Sequence, residues 1–444
     1  MHATRRCAVI LAAAAAVTFA VPGTARGDAV TQWNIYTNAS IFATTPASHL
    51  AQIKTAIVQA AVYDAVNAIA GGYRPYLATT PAADPMFSQD AAAATAAFRV
   101  ASALTPSWLA TLQGQYDAYL TTIAPGAAKD GGIAVGKAAA DAILAARAND
   151  GRGGPFTFTL GTTPGVWRPS PPFFSLDPAP WVGNVTPFML RSGSQLRSEG
   201  PNKLTSEEYA KDFNEVKSIG SLTSTTRTPD QTMAAIFWQS PPGGLYAQVM
   251  RAISAQRGLS TADNARLFAK VSLAAADGSI SCWNDKYYWN FWRPIDAIRQ
   301  AASDGNPATV ADGNWLPLFD PSTATTPVLS TPAFPDHPSG HTCVSGAAFG
   351  VMKDFFHTNN IAFDITSTRF PAQPRHFTSF SQALKEVIDA RVWGGIHFRT
   401  ADVQGAKIGK QVAQWERKHF FQPVDSHDGD DNGHGDDGQQ GGDD

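Results

Sequence analysis

Outside its first 27 residues, the sequence has no apolar run long enough to cross a bilayer, which takes about 20 residues. Cysteine is scarce as well: three in 444 residues are too few to staple a disulfide-rich scaffold. No basic stripe of the kind seen in nucleic-acid-binding proteins is present. The sequence therefore indicates a protein built around an apolar core, with no stable membrane anchor and no nucleic-acid partner.

The alternation of apolar and polar residues that marks half-buried strands is also missing. Helical spacing is frequent instead, for example at residues 49–69, 133–148 and 261–276. Residues 28–48 show no clear period and are expected to be irregular. The predicted fold class is all-α, with helical bundles (two packed four-helix-type bundles) and long proline-rich loops.

Both ends of the chain differ from its body. Residues 1–27 have the arginines and the apolar stretch of a signal peptide, which predicts a secreted or periplasmic protein. Residues 425–444 are Asp, Gly, His, Asn, Ser and Gln, a composition typical of disorder. Between them, we predict an N-terminal helical part at 28–148, an ordered arm rich in proline and aromatic residues at 149–202, and a catalytic helical part at 203–424.

The run Pro338-Ser339-Gly340-His341 precedes an apolar helical pattern, which places Ser339 at a helix N-cap. Free N–H groups and the positive end of the helix dipole meet at such a start, so the position suits a tetrahedral oxyanion. Ser339 can donate its hydroxyl, Gly340 allows close approach, and His341 can transfer a proton. The alternative is a proline-led helix start with an incidental histidine.

Two distant segments favour the oxyanion. Lys286 and Arg293 are seven residues apart and are expected two turns apart on one helical face. Arg391 adds a third cation, and His397 adds a second histidine. Three cations, two histidines and a helix start are more than a core needs, and they match the needs of a tightly held oxyanion.

The order Lys-x6-Arg-Pro, Pro-Ser-Gly-His and Arg-x5-His resembles the motifs of vanadium-dependent haloperoxidases. Type 2 phosphatidic acid phosphatases and class A acid phosphatases share this pattern. A weaker likeness to bacterial secreted members extends to residues 61–69 and 166–172. The resemblance implies vanadate as cofactor, bonded to His397, with His341 as the acid–base group. The remaining vanadate-binding residues that it implies are Lys286, Arg293, Ser339, Gly340 and Arg391.

Two enzymatic functions fit this set of anion-binding residues, which we call the cage. A haloperoxidase would oxidise halide with hydrogen peroxide to hypohalous acid. A secreted acid phosphatase would use His397 as the nucleophile on a phosphate ester, forming a phosphohistidine. Trp283 and Phe334 match positions that shape the halide pocket in the resembling family and favour the haloperoxidase, although both could be core residues. A binding protein without turnover would not need His341.

Two further expectations come from the same motifs. Asp402 follows His397 by five residues, where the family usually has four. The resemblance implies a second-shell place for Asp402, the changed spacing leaves its role as the orienting partner of His397 open, and a surface charge on a helix is the alternative. Cys282 and Cys343 each flank a motif, so they are expected to lie close enough for a disulfide, with buried free thiols as the alternative. The halide preferred and the oligomeric state remain open.

Overall fold

The computed structural model describes residues 28–77, 81–323 and 328–424. This part of the chain is mostly helical, with a single two-stranded antiparallel sheet of three-residue strands, and the all-α prediction is confirmed. The predicted signal peptide and acidic tail lie outside the described residues.

In chain order the helices are α1 Ala29–Thr44, α2 Ser48–Ala70, α3 Gln89–Leu104, α4 Leu109–Leu120, α5 Ala127–Ala146, α6 Glu207–Ile219, α7 Pro229–Phe237, α8 Pro242–Arg257, α9 Thr261–Trp289, α10 Pro294–Arg299, α11 Gly340–Phe355, α12 Phe380–Trp393 and α13 Arg399–His419. The strands are β1 Phe363–Ile365 and β2 Arg375–Phe377.

Helix α9 is the centre of the fold. It begins where the Ser260 side chain accepts a hydrogen bond from the Asp263 N–H, and residues 267–283 are buried without interruption. On one side it packs against α2, which belongs with α1, α3 and α5. On another it packs against α11 and α13, with α12 beside them. A helix that is apolar nearly all round suits this position, because no face is left for solvent.

Helices α11 and α13 approach each other so closely that glycine is required between them. A Cβ at Gly409 would lie 2.2 Å from the Cys343 carbonyl oxygen and 2.5 Å from the Ala347 nitrogen. At the same end of this pair, the Ser339 N–H donates to the Ala401 carbonyl at 2.9 Å. The contact thus fixes the start of α11 against the start of α13.

The predicted continuous helix through Lys286 and Arg293 is wrong. Asn290 adopts the left-handed conformation (φ 49°) and ends α9, while its N–H bonds the Lys286 carbonyl. Pro294 then opens α10 at its first position, where a missing N–H costs nothing. Lys286 and Arg293 therefore lie on separate segments and reach the same region by a turn of the chain.

The irregular start expected at residues 28–48 is also wrong, because α1 fills most of it. Asp28 caps this helix, with its carboxylate accepting from the Thr31 N–H at 2.9 Å. The helix buries Asn34, Thr37 and Ser40 along with its apolar residues. Buried polar side chains break the apolar period, which is why the spacing did not reveal the helix.

Residues 149–202 form no α-helix and contain one 3₁₀ turn, Pro180–Asn184. Asp277 of α9 anchors the segment by accepting the N–H groups of residues 188, 189 and 190 at 2.7–2.9 Å. Burial raises the pKa of Asp277 to about 6, and the three hydrogen bonds oppose that rise. The division of the chain into parts remains a prediction. Among the described residues, no helix has the length and apolarity to cross a membrane.

Replacing Gly409 with alanine should destabilise the protein by about 1–3 kcal/mol, because the added methyl overpacks the α11–α13 contact. Gly114 provides the control: it is an exposed residue inside α4 with nothing near its Cβ position. Gly114→Ala should be neutral or stabilising by up to about 1 kcal/mol. Urea unfolding followed by circular dichroism measures both. Equal stability of Gly409→Ala and wild type would contradict the packing described.

Candidate active site

A cavity of about 260 Å³ opens between the start of α2, the start of α11 and the segment before α8. The predicted residues that line it are Trp283, Phe334, Gly340, His341, Arg391 and His397. Lys286, Arg293 and Ser339 are buried directly behind that wall. The three distant sequence motifs therefore converge on one place, as the oxyanion hypothesis requires.

Ser339 is the N-cap residue of α11, as predicted, but its side chain makes no capping hydrogen bond. The hydroxyl is thus not committed to its own helix, and the first turn keeps its outward N–H groups. A Cβ at Gly340 would lie 2.9 Å from the ring of Trp283. Glycine is needed here because any other side chain would push the helix start away from the indole.

Lys286 supports the loop that leads into α11. Its ammonium donates to the carbonyl oxygens of Pro335 (2.8 Å), Asp336 (3.0 Å) and Pro338. Burial lowers its pKa to about 8. An ammonium has three hydrogens, and all three are used by these carbonyls. Lys286 therefore contributes positive charge and loop geometry from behind the cavity, without facing it.

The two arginines hold the opposite walls. Arg293 donates from Nε to the Phe334 carbonyl at 2.8 Å and from Nη1 to the Ile396 carbonyl at 2.7 Å. Arg391 donates from Nη1 to the Trp238 carbonyl at 3.3 Å. Burial lowers the pKa of each guanidinium to about 10, which leaves both charged at neutral pH. Each side chain is thus fixed by main-chain oxygens.

Several buried nitrogens in the described part of the chain have no hydrogen-bond partner, and three of them belong to the predicted site residues: Arg293 Nη2, Arg391 Nε and His341 Nε2. A buried polar atom without a partner costs roughly 1–3 kcal/mol, and more when it is charged. Buried polar atoms without partners that gather at one cavity indicate a site that is completed by a ligand. Arginine donors and a neutral imidazole suit a tetrahedral oxyanion with several oxygens.

His341 is partly buried at the cavity wall, and its pKa lies well below the ordinary value for histidine. Burial is the main cause, and the positive charges of Arg391 and Lys286 add to it. The carbonyl oxygens of Trp238 and Ser240 act in the opposite direction. The imidazole is therefore neutral at pH 7 and able to accept a proton from a bound molecule.

His397 is oriented by Asp336. Its Nδ1 lies 2.8 Å from the Asp336 carboxylate, and Arg293 Nη1 lies 3.2 Å from its Nε2. Burial raises the pKa of Asp336 to about 7, while Arg293 and Lys286 oppose the rise. The carboxylate thus borders Nδ1, and the Arg293 guanidinium borders Nε2 on the other side of the ring.

Among the described residues, the carboxylate paired with His397 is that of Asp336 and not that of Asp402, whose second-shell place remains a prediction. Asp402 is buried beside Ser339 and Arg391, whose hydroxyl and charge lower its pKa against the larger raising effect of burial. The resemblance pointed to Asp402, because an acidic residue usually follows the second histidine of the family by four positions. Asp336 was missed although it stands in the signature loop, since nothing in the sequence shows that Phe334–Pro338 folds across His397.

Trp283 and Phe334 form an aromatic corner of the cavity, with ring centroids 5.0 Å apart. His49, at the start of α2, lies on this corner and was missed, because a helical pattern gave no sign of it. Its ring stacks on Trp283 at 4.0 Å between centroids. The N-terminal part of the chain thus contributes to the cavity wall.

Cys282 and Cys343 are neighbours, as expected, but both are free thiols and fully buried. Cys282 donates from Sγ to the Pro338 carbonyl at 3.5 Å. Burial raises the pKa of Cys343, and contact with Cys282 raises it further. The pair packs beneath the loop before α11, which matches the alternative of two buried thiols.

Asp336→Asn should weaken the binding of orthovanadate by roughly 10–100-fold, because the change removes the charge that orients His397. Asp364→Asn is the matched control, since Asp364 pairs with His376 Nδ1 at 2.6 Å on the surface. It should bind as tightly as wild type. Isothermal titration calorimetry measures both, and unchanged affinity in Asp336→Asn would refute the role given to that carboxylate.

Comparisons with known proteins agree with this geometry. The family model of the VCPO second helical-bundle domain matches residues 266–426, a range that contains all the cage residues. Vanadium chloroperoxidase of Curvularia inaequalis is 26% identical over 280 residues, which are 50% of this chain and 45% of that protein. The match thus covers less than half of that relative.

Solved structures are similar over most of the chain. The first bacterial vanadium-dependent iodoperoxidase has a TM-score of 0.74 at 26% identity, covering 89% of this chain and 96% of that one. The apo-type and holo-type bacterial vanadium-dependent chloroperoxidases have TM-scores of 0.66 and 0.64 at 15% and 16% identity. Each covers 83% of this chain, and the matches span 92% and 91% of those chains; at such identity they show the fold alone. With three motifs meeting in one cage and the fold shared, the chain is similar to the vanadium-dependent haloperoxidases in its site residues and in its fold.

Proposed function

We propose that this protein is a vanadate-dependent haloperoxidase, which catalyses H₂O₂ + X⁻ + H⁺ → HOX + H₂O. The observation that carries the proposal is a cationic cage with unpartnered buried donors, sharing one cavity with an aromatic corner. The cage suits vanadate, and the corner suits a halide. The relatives named as chloroperoxidase and iodoperoxidase support the same activity.

The residues fit orthovanadate by charge and by donor type. Lys286, Arg293 and Arg391 are buried together, and the charges of Arg293 and Arg391 oppose one another, so an anion relieves their repulsion. His397 Nε2 would bond the vanadium, and the donors of Ser339, Gly340 and the arginines would hold its oxygens. Bound vanadate supplies Lewis-acid activation of peroxide.

His341 handles the proton. Its neutral imidazole accepts a proton from hydrogen peroxide as that molecule enters the cage, and later returns it to the oxygen that leaves as water. An oxyanion in the cage screens Arg391 and Lys286, so the pKa of His341 rises from its depressed value when the site is filled. The same residue can then serve as base and acid in one turnover.

Trp283 and Phe334 suit a halide that must be oxidised and not trapped. Aromatic edges exclude water and present a weakly positive rim, so they hold the anion without binding it tightly. A phosphate ester needs an open mouth and polar contacts for its leaving group. No observation in the cavity favours this second function.

The cellular location and the reactants of the protein are separate proposals. We propose export to a secreted or periplasmic location, supported by the arginines and apolar stretch of residues 1–27, which lie outside the described residues. Hydrogen peroxide and halide are the proposed reactants, and nothing in the charge pattern favours a nucleic-acid partner.

The test uses purified protein with and without orthovanadate, assayed for bromination of a phenolic acceptor and for phosphate-ester hydrolysis. Bromination should require vanadate and peroxide, and inorganic phosphate should inhibit it by competing for the cage. Trp283→Ala and Phe334→Ala should lower bromination about tenfold or more, with vanadate affinity within about twofold of wild type. Phe173→Ala, at an exposed site on the arm, should have no effect.

One outcome decides for the alternative. Ester hydrolysis inhibited by vanadate, with no bromination at any peroxide concentration, would establish a phosphatase.

A further inference from the structure

A second cavity, of about 220 Å³, opens between the segment 149–202 and the last turn of α9. We call it the arm cavity. Its walls come from residues 156–180 of that segment and from Tyr287 of α9. None of the described residues that line it also lines the first cavity. The aromatic residues of this segment, which the sequence predicts to be ordered, thus surround a space of their own.

Phe156, Phe158 and Tyr287 give the arm cavity aromatic walls. Phe156 and Phe158 are partly buried while residues 155, 157 and 159 are exposed, which is the alternation of an extended chain with one side turned inward. The centroid of the Tyr287 ring lies 4.7 Å from that of Phe156 and 4.9 Å from that of Phe158, with interplanar angles of 64° and 73°. Aromatic rings favour edge-to-face and offset neighbours, so these walls suit a flat aromatic ligand.

Asp177 is the only charged residue that lines the arm cavity within the described ranges, and its carboxylate is already occupied. One oxygen contacts the Ala179 N–H at 2.9 Å and His49 Nε2 at 3.2 Å, and the other accepts from Trp283 Nε1 at 2.7 Å and from the Tyr287 hydroxyl at 3.1 Å. Burial acts to raise the pKa of Asp177, but the hydrogen bond and charge of His49 lower it below the ordinary value, so the carboxylate is ionised. Its negative charge disfavours an anionic ligand, and its lone pairs are used, so an amine finds no acceptor there.

Trp167 supplies a polar group that has no partner. Its side chain is 1% exposed and lines the arm cavity, and its Nε1 has no hydrogen-bond partner in the described part of the chain. An indole nitrogen is a donor only, and a buried donor without an acceptor is costly unless a ligand supplies one. The walls therefore favour a neutral molecule that has a flat ring and an acceptor oxygen, which is the chemistry of a phenol.

We propose that the arm cavity binds a neutral phenol, and that this phenol is the organic acceptor of the hypohalous acid. The inference rests on the proposed function and names the class of molecule that consumes its product. A cavity of about 150 Å³ holds benzene, so the arm cavity has room for one substituted ring. In the reaction ArH + HOX → ArX + H₂O, a ring carbon bonds the halogen, the O–X bond breaks, and the displaced ring proton joins the hydroxide as water.

Asp177 joins the walls of the two cavities. Its partners His49 and Trp283 line the first cavity, and its partner Tyr287 lines the arm cavity. A phenol in the arm cavity is therefore held beside the cavity in which the oxidant forms. Because two reactants held near one another meet more often, the bound phenol should react ahead of phenol that is free in solution.

The first experiment measures binding to the vanadate-free full chain by ¹⁹F NMR titration with 4-fluorophenol and fluorobenzene. Only the phenol carries an oxygen for Trp167, so the wild type should bind it more tightly. Trp167→Phe keeps an aromatic wall and removes the donor, so it should weaken 4-fluorophenol about fivefold or more and fluorobenzene less than about twofold. Trp33→Phe is the matched control and should change neither affinity, because Trp33 is equally buried with an unpartnered Nε1 within the described ranges but does not line this cavity.

Equal weakening of the two probes in Trp167→Phe would overturn the site, as would the absence of saturable 4-fluorophenol binding in the wild type. Phe158→Ala, on a partly exposed segment, should weaken both probes. A wild-type measurement guards against misfolding of the variants: anomalous diffraction from crystals soaked in 4-bromophenol. A bromine peak in the arm cavity beside Phe158 and Trp167 supports the proposal, and peaks only elsewhere refute it.

The second experiment tests whether the bound phenol is the acceptor. Hypobromous acid also reacts with excess peroxide, HOBr + H₂O₂ → O₂ + Br⁻ + H⁺ + H₂O, so dioxygen evolution without phenol measures oxidant formation. The ratio of phenol bromination to dioxygen evolution should saturate with phenol in the wild type, and at low phenol it should be about fivefold or more lower in Trp167→Phe. An unchanged ratio would refute the acceptor role. A wild type that binds 4-fluorophenol but forms no oxidant would refute the haloperoxidase activity and leave the binding site standing.

Discussion

Three buried cations around one space are the constraint on which the structure depends. Lys286, Arg293 and Arg391 are each 1% exposed or less, and removing charges from water costs several kcal/mol per ion. Main-chain carbonyls and the carboxylates of Asp336 and Asp402 compensate only part of that cost. The close α11–α13 contact and the turn at Asn290 hold the cations together against their repulsion. A fold that maintains such a cage is arranged to receive an anion.

The same charge sets the properties of the two histidines. Burial and the neighbouring cations depress the pKa of both His341 and His397, so each ring enters the reaction neutral. Their roles differ because their partners differ. Asp336 borders one nitrogen of His397. Within the described ranges, no carboxylate pairs with His341 and its Nε2 has no hydrogen-bond partner, so that ring remains free to exchange a proton. The same buried cations therefore act on both rings, and the different partners of the rings assign His397 as the ligand and His341 as the acid–base group.

The sequence predicted the convergence of the motifs, because a helix start, cations and histidines have recognisable local signals. It failed where long-range packing decides. Lys286 and Arg293 looked like one helical face, but Asn290 ends the helix between them. Asp402 stood near the position that the family pattern suggests, yet the carboxylate paired with His397 is that of Asp336 in the preceding loop. His49 had no signal at all, since its contact with Trp283 joins residues 234 positions apart and depends on how α2 packs on α9. The sequence shows which residues have the chemistry of a site, but it does not show which residues pack together across the fold.

The central claim is that a tetrahedral oxyanion completes the cage, and thermal unfolding with orthovanadate tests it most directly. A ligand that binds only the folded state stabilises it by about 2.7 kcal/mol at a concentration of 100 times Kd. For a protein of this size, Tm should rise by several degrees with vanadate and less with phosphate, and His397→Ala should lose the vanadate shift. A wild-type Tm that does not move at any vanadate concentration would contradict the account.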